Sequence, residues 1–245
     1  EFRRVLFRSD PQEAVQEVVH RLWGHAALRP LQREAIEADL AGRDSLVVMA
    51  TGGGKSLCYQ APAIMRAEAG DGRITLVVSP LVSLMDDQVA SLRAMGVAAA
   101  ALHSGSDDAE REEAEALLGR GEASLVFAAP ERAVRPGFAR LLARRGVRSL
   151  CIDEAHCISQ WGHDFRPEYR RLAELREAFP GAAVHAFTAT ATPQVGEDIV
   201  QQLRMRDPLR LVGPVHRANL LIRTRHRTDG TAQLLELVQR HAGEA

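Results

Sequence analysis

Short apolar runs alternate with segments of helical periodicity along most of this 245-residue chain. The short runs fit buried strands, and the longer stretches between them repeat apolar residues every three or four positions, as helices do. The predicted strands are 45–50, 74–79, 97–102, 124–128, 149–153 and 183–188. The predicted helices are 55–67, 84–95, 107–118, 136–145, 167–178 and 193–203. Over residues 30–205 the alternation predicts an α/β fold, a doubly wound, mostly parallel sheet with helices on both faces and a ligand site at the carboxyl ends of the strands.

The charges nearly balance, with 31 basic and 32 acidic residues. No overall basic field therefore attracts nucleic acid or an anionic membrane. Lys55 is the single lysine, and every other basic residue is arginine, which indicates that an ammonium is specifically needed at this position. The three cysteines are odd in number and lack paired C-x-x-C spacing, which favours a reducing bacterial cytoplasm and no zinc site.

The two ends of the chain differ in composition from its middle. Residues 1–9, E-F-R-R-V-L-F-R-S, resemble a translated sequencing adapter and are interpreted as non-native, with a natural basic N-terminus as the alternative. The segment 204–227 carries seven arginines against one acid, Asp207, and is typical of a linker. A last helix is predicted over 231–241. We therefore expect one domain over 10–207, and a linker with the truncated start of a second domain over 208–245.

A glycine-rich turn connects the first predicted strand to the helix that follows it. Its residues, which we call the phosphate loop, are Thr51, Gly52, Gly53, Gly54, Lys55 and Ser56. Glycines allow backbone N–H groups to surround an anion, and the helix N-terminus adds its positive dipole. Lys55 is predicted to contact the β- and γ-phosphates of a nucleotide and Ser56 to bind Mg²⁺. Met49 replaces the first glycine of the usual G-x-x-x-x-G-K-[ST] pattern, and a plain tight turn is the alternative.

Two carboxylates follow the predicted strand 149–153. Asp153 is predicted to bind Mg²⁺ and Glu154 to orient or deprotonate an attacking water. Adjacent carboxylates repel one another unless a cation lies nearby. A solvated turn is the alternative for this pair taken alone.

These motifs together resemble a known family. Asp-Glu-Ala-His at 153–156, the T-G-G-G-K-S loop and T-A-T-A-T at 188–192 resemble superfamily-two helicases. Residues 157–169, C-I-S-Q-W-G-H-D-F-R-P-E-Y, closely match the aromatic-rich loop of RecQ DNA helicases, and 57–63 and 78–89 are similar to the same family. The resemblance covers about residues 20–225. It implies a RecA-like P-loop domain that uses ATP and Mg²⁺ to translocate on single-stranded DNA and unwind duplexes 3′ to 5′ in repair and recombination.

The resemblance also implies an adenine-recognition motif at 28–32, L-R-P-L-Q. Gln32 is expected to read the adenine edge, since an amide offers one donor and one acceptor. Arg29 is expected beside the base or the phosphates. The family usually has Phe-Gly-Tyr where Trp23, Gly24 and His25 stand, so His25 is expected to stack on the base in place of the tyrosine.

Further residues are implied to couple DNA to ATP. Trp161, Phe165 and Arg166 offer two aromatic faces and a planar cation for unpaired bases and phosphate, the alternative being a hydrophobic plug with a salt bridge. His156 is implied to relay to Thr188 and Thr190, with a core hydroxyl ladder as the alternative. The positions that align with motifs facing the DNA backbone are Ser79, Pro80, Glu131 and Arg132.

The resemblance sets expectations about partners as well. The family's ATP site is completed by an arginine from a second RecA-like domain in cis, and 217–220, R-A-N-L, resembles the junction to it. The chain alone is therefore expected to bind ATP, turn it over poorly and not unwind DNA. Expected partners are single-stranded and forked DNA, with no membrane and no zinc. An RNA helicase of the Asp-Glu-Ala-His type, a nucleotide-gated binding module and a RecA-like recombinase are the rival hypotheses.

Overall fold

The computed structural model describes residues 10–162, 164–214 and 224–242. The predictions for residues 1–9, for His163 and for the junction at 217–220 fall outside the described residues. Internal contacts divide the chain into Glu1–Gly213 and Pro214–Ala245, and the two units are described separately.

The first unit is built on a parallel sheet of seven strands. Their order is β3-β4-β2-β5-β6-β1-β7, and every pair is parallel. The strands are β1 Ser45–Val48, β2 Ile74–Val78, β3 Ala99–Leu102, β4 Leu125–Ala128, β5 Val147–Ile152, β6 Ala183–Thr188 and β7 Leu209–Val212. All six predicted strands and the α/β fold class are confirmed. Because the sheet is parallel throughout, the carboxyl ends of its strands share one edge.

The seventh strand was not predicted, since β7 falls within the segment interpreted as a linker. Leu209 pairs with Ser45 of β1, and the N–H of Arg206 donates to Asp44 Oδ2 at 2.6 Å, which fixes the approach to the strand. Its four residues alternate at a sheet edge where Leu211 alone is buried. Such a short, half-exposed edge strand carries little periodic signal. The first compact unit thus extends to Gly213, beyond residue 207.

Helices flank the sheet in the first unit. They are α1 Pro11–Trp23, α2 Pro30–Leu40, α3 Lys55–Glu68, α4 Val82–Ala94, α5 Asp108–Gly119, α6 Pro130–Ala133, α7 Phe138–Ala143, α8 Pro167–Arg170, α9 Ala173–Ala178 and α10 Pro193–Gln202. The helix predicted over 167–178 is two short helices, α8 and α9, and the one predicted over 136–145 shortens to α7. Helices α1 and α2 were not predicted. Pro11 and Pro30 occupy their first turns, where a missing N–H is tolerated.

Alternate strand residues face two separate cores. Val47, Phe127 and Phe187 pack with α1 to α4 on one face of the sheet. Leu76 and Val184 pack with α5 to α10 on the other face. Two-sided burial explains why the strands read as continuous apolar runs, and it confirms helices on both faces.

The second unit contains α11, Gly230–Arg240, close to the helix predicted over 231–241. Asp229 caps it, because its carboxylate accepts from the backbone N–H groups of Thr231 and Ala232. No helix among the described residues is long and apolar enough to cross a bilayer.

Candidate nucleotide and nucleic-acid site

The phosphate loop lies at the carboxyl end of β1, and α3 begins at Lys55. Gly52 and Gly54 have φ of +77° and +81°, in the left-handed region that favours glycine. A Cβ on Gly54 would also collide with the side-chain nitrogen of Gln32, and one on Gly53 would lie 2.6 Å from Met49 Cγ. Glycine is therefore required in this loop by both conformation and space.

Met49, at the position of the usual first glycine, takes part through its backbone. Lys55 Nζ donates to the carbonyl oxygen of Met49 at 3.2 Å. The Met49 side chain is buried in the core on the α1 to α4 face of the sheet. Met49 does not line the cavity that opens beside the loop.

Gln32 and Arg29 reach the same loop from the start of α2. Gln32 Nε2 donates to the carbonyl oxygens of Gly53 and Gly54, at 3.1 and 3.3 Å, and its Oε1 accepts from the Arg29 N–H at 3.0 Å. Arg29 Nη1 donates to the carbonyl oxygen of Gly52 at 3.0 Å. The structure therefore brings the two predicted base-reading residues onto the loop.

A cavity of about 310 Å³ opens beside these groups. Among the predicted residues, it is lined by His25, Arg29, Gln32, Gly52, Gly54 and Ser56. The sequence analysis did not predict that Trp23, Ala27, Leu57 and Gln60 also line it. Its lining combines polar groups with aromatic and aliphatic ones, which suits a ligand that carries both a base and phosphates.

The predicted carboxylates lie at the end of β5. Asp153 is buried, and its N–H donates to the carbonyl oxygen of Val78 at 2.8 Å. Burial, with a smaller contribution from the Glu154 charge, raises the pKa of Asp153 to about 6, while the charge of Lys55 opposes the shift. Glu154 itself sits at φ +46°, a strained conformation for a residue with a side chain.

These observations test whether the residues suit a divalent cation. The Asp153 carboxylate is buried, and the negative charge of Glu154 lies nearby. A bound cation would offset both the cost of burying the Asp153 charge and its repulsion by Glu154. Carboxylate and hydroxyl oxygens such as those of Asp153 and Ser56 are the ligands Mg²⁺ prefers, usually together with substrate phosphates. In the described part of the chain no group of three or more His, Cys, Asp and Glu side chains is placed to hold a metal on its own. The residues fit an Mg²⁺ ion that arrives with a nucleotide.

A chain of side-chain contacts runs from Glu154 toward the neighbouring strand. His156 Nδ1 lies 3.3 Å from Glu154 Oε2 and 3.0 Å from Thr188 Oγ1, at the end of β6. Thr188 Oγ1 in turn donates to the carbonyl oxygen of Thr190 at 3.0 Å and accepts from the Thr190 N–H at 3.3 Å. The structure places His156 against Thr188, as in the predicted relay, and also against Glu154, a contact that was not predicted. Thr190 contacts Thr188 through its backbone.

The segment 157–169, which we call the aromatic loop, continues from this chain. Trp161 is 69 % exposed, and the ring of Phe165 lies beneath the guanidinium of Arg170 at 5.2 Å. Arg166 binds Asp164 Oδ2 through Nε and Nη2, at 3.2 and 3.1 Å. Asp164 and Arg170 were not predicted to contribute. The exposed indole of Trp161 does not fit the hydrophobic-plug alternative, although the salt bridge of that alternative is present.

The residues that align with DNA-backbone motifs follow β2 and β4. Ser79 is buried with no hydrogen-bond partner for its Oγ, and the carbonyl oxygen of Pro80 lies 3.5 Å from Arg166 Nη1. A second cavity, of about 460 Å³, is lined by Glu131 and Arg132 together with His103, Ser104, Arg111 and Arg135, which the sequence analysis did not predict. Its arginine content suits an anion.

Strand order arranges these groups. Phosphate-loop, relay and carboxylate residues follow the adjacent strands β1, β6 and β5, whereas the candidate DNA-backbone residues follow β2 and β4. The aromatic loop follows β5, at the boundary, and contacts His156 through Cys157 and the carbonyl oxygen of Pro80 through Arg166.

Comparisons with known proteins agree with this geometry. Residues 29–199 match the DEAD/DEAH box helicase family. The chain is 43 % identical over 209 residues to the ATP-dependent DNA helicase RecQ of Pasteurella multocida, with 85 % of this chain and 32 % of the relative covered. It is 40 % identical over 228 residues to RecQ of Haemophilus influenzae, with 93 % and 36 % covered. The chain thus spans about a third of the length of these relatives.

Two solved structures share the fold. The DUF1998 helicase MrfA bound to DNA and AMPPNP superposes with a TM-score of 0.69 at 18 % identity, covering 94 % of this chain and 34 % of that one. The DEAD-box helicase Mss116 bound to ssRNA and UDP-BeF gives 0.64 at 18 % identity, covering 82 % and 42 %. With the family match across residues 29–199 and the RecQ similarity, the chain belongs to the DEAD/DEAH box helicases and resembles their RecQ members.

Proposed function

We propose that this chain is the ATP-binding motor domain of a RecQ-like DNA helicase, which couples ATP hydrolysis to 3′ to 5′ movement on single-stranded DNA and to duplex unwinding in repair and recombination. The observation that carries the proposal is the chain of side-chain contacts from Glu154 through His156 to Thr188, which lies directly before the exposed aromatic loop. A nucleotide site and a base-stacking surface are therefore built on one continuous segment. A bacterial cytoplasm, at the chromosomal DNA, is the proposed place of action.

ATP binding uses the 310 Å³ cavity and the phosphate loop. Gln32 exchanges its bonds to the loop for the adenine edge, and His25 stacks on the base. Lys55 leaves the carbonyl oxygen of Met49 for the β- and γ-phosphates. Ser56 and Asp153 would hold Mg²⁺, which neutralises charge on the phosphates when bound.

Hydrolysis needs a base beside the γ-phosphate, and Glu154 takes this role. Its backbone has φ +46°, directly after β5, and its Oε2 lies 3.3 Å from His156 Nδ1. The Thr188 hydroxyl fixes the His156 ring, so the position of Glu154 is tied to β6. General-base assistance of this kind contributes about 10² to 10⁴ in rate.

DNA binding uses the aromatic loop and the residues beyond β2 and β4. Trp161 offers an exposed ring to an unpaired base, and Arg166 and Arg132 offer cations to phosphates. DNA is preferred to RNA as the substrate because the relatives with 40 to 43 % identity are named DNA helicases. A second RecA-like domain in cis and forked DNA are the remaining proposed partners, and the threefold greater length of the relatives leaves room for that domain.

The test is ATP turnover by a protein of the relatives' full length, with single-stranded DNA, RNA of the same sequence, or neither. We expect DNA to stimulate turnover at least about tenfold more than RNA does, and Glu154→Gln to reduce turnover by about 10² or more. Stimulation by RNA alone would establish the RNA helicase alternative. Turnover in the wild type that is no higher than in the Glu154→Gln protein, with or without DNA, would contradict the assigned role of Glu154 and favour the nucleotide-gated binding module.

A further inference from the structure

Cys157 is the first residue of the aromatic loop and directly follows His156. We call the contacting side chains of Glu154, His156 and Thr188 the nucleotide relay. Its Sγ is 3.8 Å from His156 Nε2 and 3.6 Å from Asp164 Oδ2. The side chain is fully buried, although Asp164 is half exposed. A single thiol therefore touches one group from each side of the site.

The hydrogen-bond pattern around His156 defines its tautomer. Thr188 Oγ1 donates its proton to the carbonyl oxygen of Thr190, so it must accept from His156 Nδ1. Glu154 Oε2, also near Nδ1, is an acceptor as well. Nδ1 therefore carries a proton, and in the neutral form of the ring Nε2 is an acceptor that lies 3.8 Å from the thiol.

The thiol has one proton and two acceptors. Burial raises the pKa of Cys157 to about 12, so the sulfur keeps its proton at neutral pH. That proton can bond His156 Nε2 or Asp164 Oδ2, but not both at once. The partner it takes depends on where His156 and Asp164 lie.

Asp164, the second acceptor near the thiol, also holds the Arg166 side chain of the aromatic loop. Asp164 Oδ2 accepts two bonds from Arg166, and the Arg166 backbone N–H donates to the carbonyl oxygen of Cys157 at 2.8 Å. Arg166 Nη1 lies 3.5 Å from the carbonyl oxygen of Pro80, beyond β2. The hold of Asp164 on Arg166 thus decides whether that guanidinium is available to a phosphate.

We propose that Cys157 is a positioning residue that links the nucleotide relay to the aromatic loop, because its thiol proton bonds either His156 or Asp164. A shift of His156 on nucleotide binding then changes the hold of Asp164 on Arg166 and moves the segment that carries Trp161. This inference rests on the proposed function, since it requires that ATP bind beside Glu154.

The test uses Trp161 as a reporter in the 245-residue chain. Trp23, the other tryptophan, is replaced by Phe, and the emission and acrylamide quenching of Trp161 are measured with and without saturating AMPPNP and Mg²⁺. Calorimetry measures AMPPNP affinity separately. We expect Cys157→Ala to reduce the nucleotide-induced change about threefold or more while AMPPNP affinity stays within about twofold. Cys157→Ser, which keeps a donor, should retain most of the response.

Two further variants make the test specific. The Asp164 side chain is half exposed, so we expect Asp164→Ala to fold. It should reduce the nucleotide-induced change in Trp161 emission as much as Cys157→Ala does. Cys151→Ala removes an equally buried thiol from β5 and should leave the response intact. A full response in both Cys157→Ala and Asp164→Ala overturns the inference. A Trp161 signal that does not change although AMPPNP binds overturns it too, whereas an absence of AMPPNP binding to the chain that keeps Trp23, a residue of the nucleotide cavity, contradicts the proposed function itself.

Discussion

His156 Nδ1 lies 3.0 Å from Thr188 Oγ1, so the segment that carries Glu154 is bonded to the end of the neighbouring strand. The Thr188 hydroxyl also donates to the carbonyl oxygen of Thr190, which leaves it a single role toward His156, that of acceptor. A movement of Thr188 at the end of β6 would therefore shift His156 and, through it, the Glu154 carboxylate.

Thr188→Val removes this acceptor and keeps the shape of the side chain. We expect DNA-stimulated ATP turnover in the full-length protein to fall about tenfold or more, because the His156 ring loses its fixed orientation. ATP affinity, measured by calorimetry, should change less than about threefold, since Thr188 does not line the nucleotide cavity. Thr192→Val, which alters only the cap of α10, serves as the matched control. Equal effects of the two substitutions would show that the Thr188 bond has no special role.

Lys55→Arg keeps the charge at the phosphate loop but should not keep its function. The planar guanidinium is broader than an ammonium, and Lys55 Nζ reaches within 3.2 Å of the carbonyl oxygen of Met49 in a loop of glycines. We expect ATP affinity to fall about tenfold or more, nearly as far as in Lys55→Ala, with the melting temperature little changed. Calorimetric titration with Mg-ATP measures the loss. Wild-type affinity in Lys55→Arg would contradict the need for an ammonium.

Asp153→Asn should stabilise the nucleotide-free chain at neutral pH. Because the folded-state pKa of Asp153 is about 6, above its ordinary 3.8, the folded chain binds the proton more tightly and the free energy of unfolding falls as pH rises from about 4 to 6. Two pK units correspond to about 3 kcal/mol. Urea unfolding without Mg²⁺ should therefore show the asparagine variant more stable at pH 7 and equal to the wild type near pH 4. The same variant should lose ATP turnover. If the variant and the wild type differed in stability by the same amount at pH 7 and pH 4, burial would not destabilise the charged form of Asp153.

Asp39 supports the sheet from the face that α2 and α3 cover. Its Oδ2 lies 2.5 Å from Arg66 Nη1, its Oδ1 lies 3.0 Å from His185 Nε2, and both partners are largely buried. Burial alone would favour the protonated acid, but the charges of Arg66 and His185 hold the pKa of Asp39 below its usual range.

Asp39→Ala leaves the buried Arg66 guanidinium and the buried His185 ring without their acceptor. We expect the free energy of unfolding to fall by about 3 to 5 kcal/mol, as for other broken buried pairs. Glu197→Ala breaks the exposed pair with Arg210 and should cost less than about 1 kcal/mol. Urea denaturation at pH 7 measures both. A loss at Asp39 no larger than that at Glu197 would mean that the buried network contributes little.

Local patterns predicted the parts of the site that are contiguous in sequence. The phosphate loop could be predicted because Gly52 to Ser56 need only the strand before them and the helix after them. Asp153 and Glu154 could be predicted because they follow an apolar strand. Because the sheet is parallel, the phosphate loop and these two carboxylates lie at the same edge of it, where the strands end.

Contacts between distant segments could not be predicted in the same way. The pairing of β7 with β1 and the Asp39, Arg66 and His185 cluster join elements far apart in the chain, and no periodicity reports them. Family resemblance alone led us to expect Gln32 at the nucleotide site, and its contact with Gly54 was not predicted. The role of Asp164 came from side-chain geometry alone, since an exposed aspartate has no distinctive pattern.

The most direct test of coupling between the two halves of the site is a binding cycle on the 245-residue chain. The affinity for fluorescent single-stranded DNA is measured with and without saturating AMPPNP and Mg²⁺, and the AMPPNP affinity with and without DNA. Linkage requires the two factors to be equal, and we predict about fivefold or more in each, lost in Trp161→Ala. If AMPPNP and DNA both bind but neither changes the affinity for the other, the two halves are not coupled in this domain.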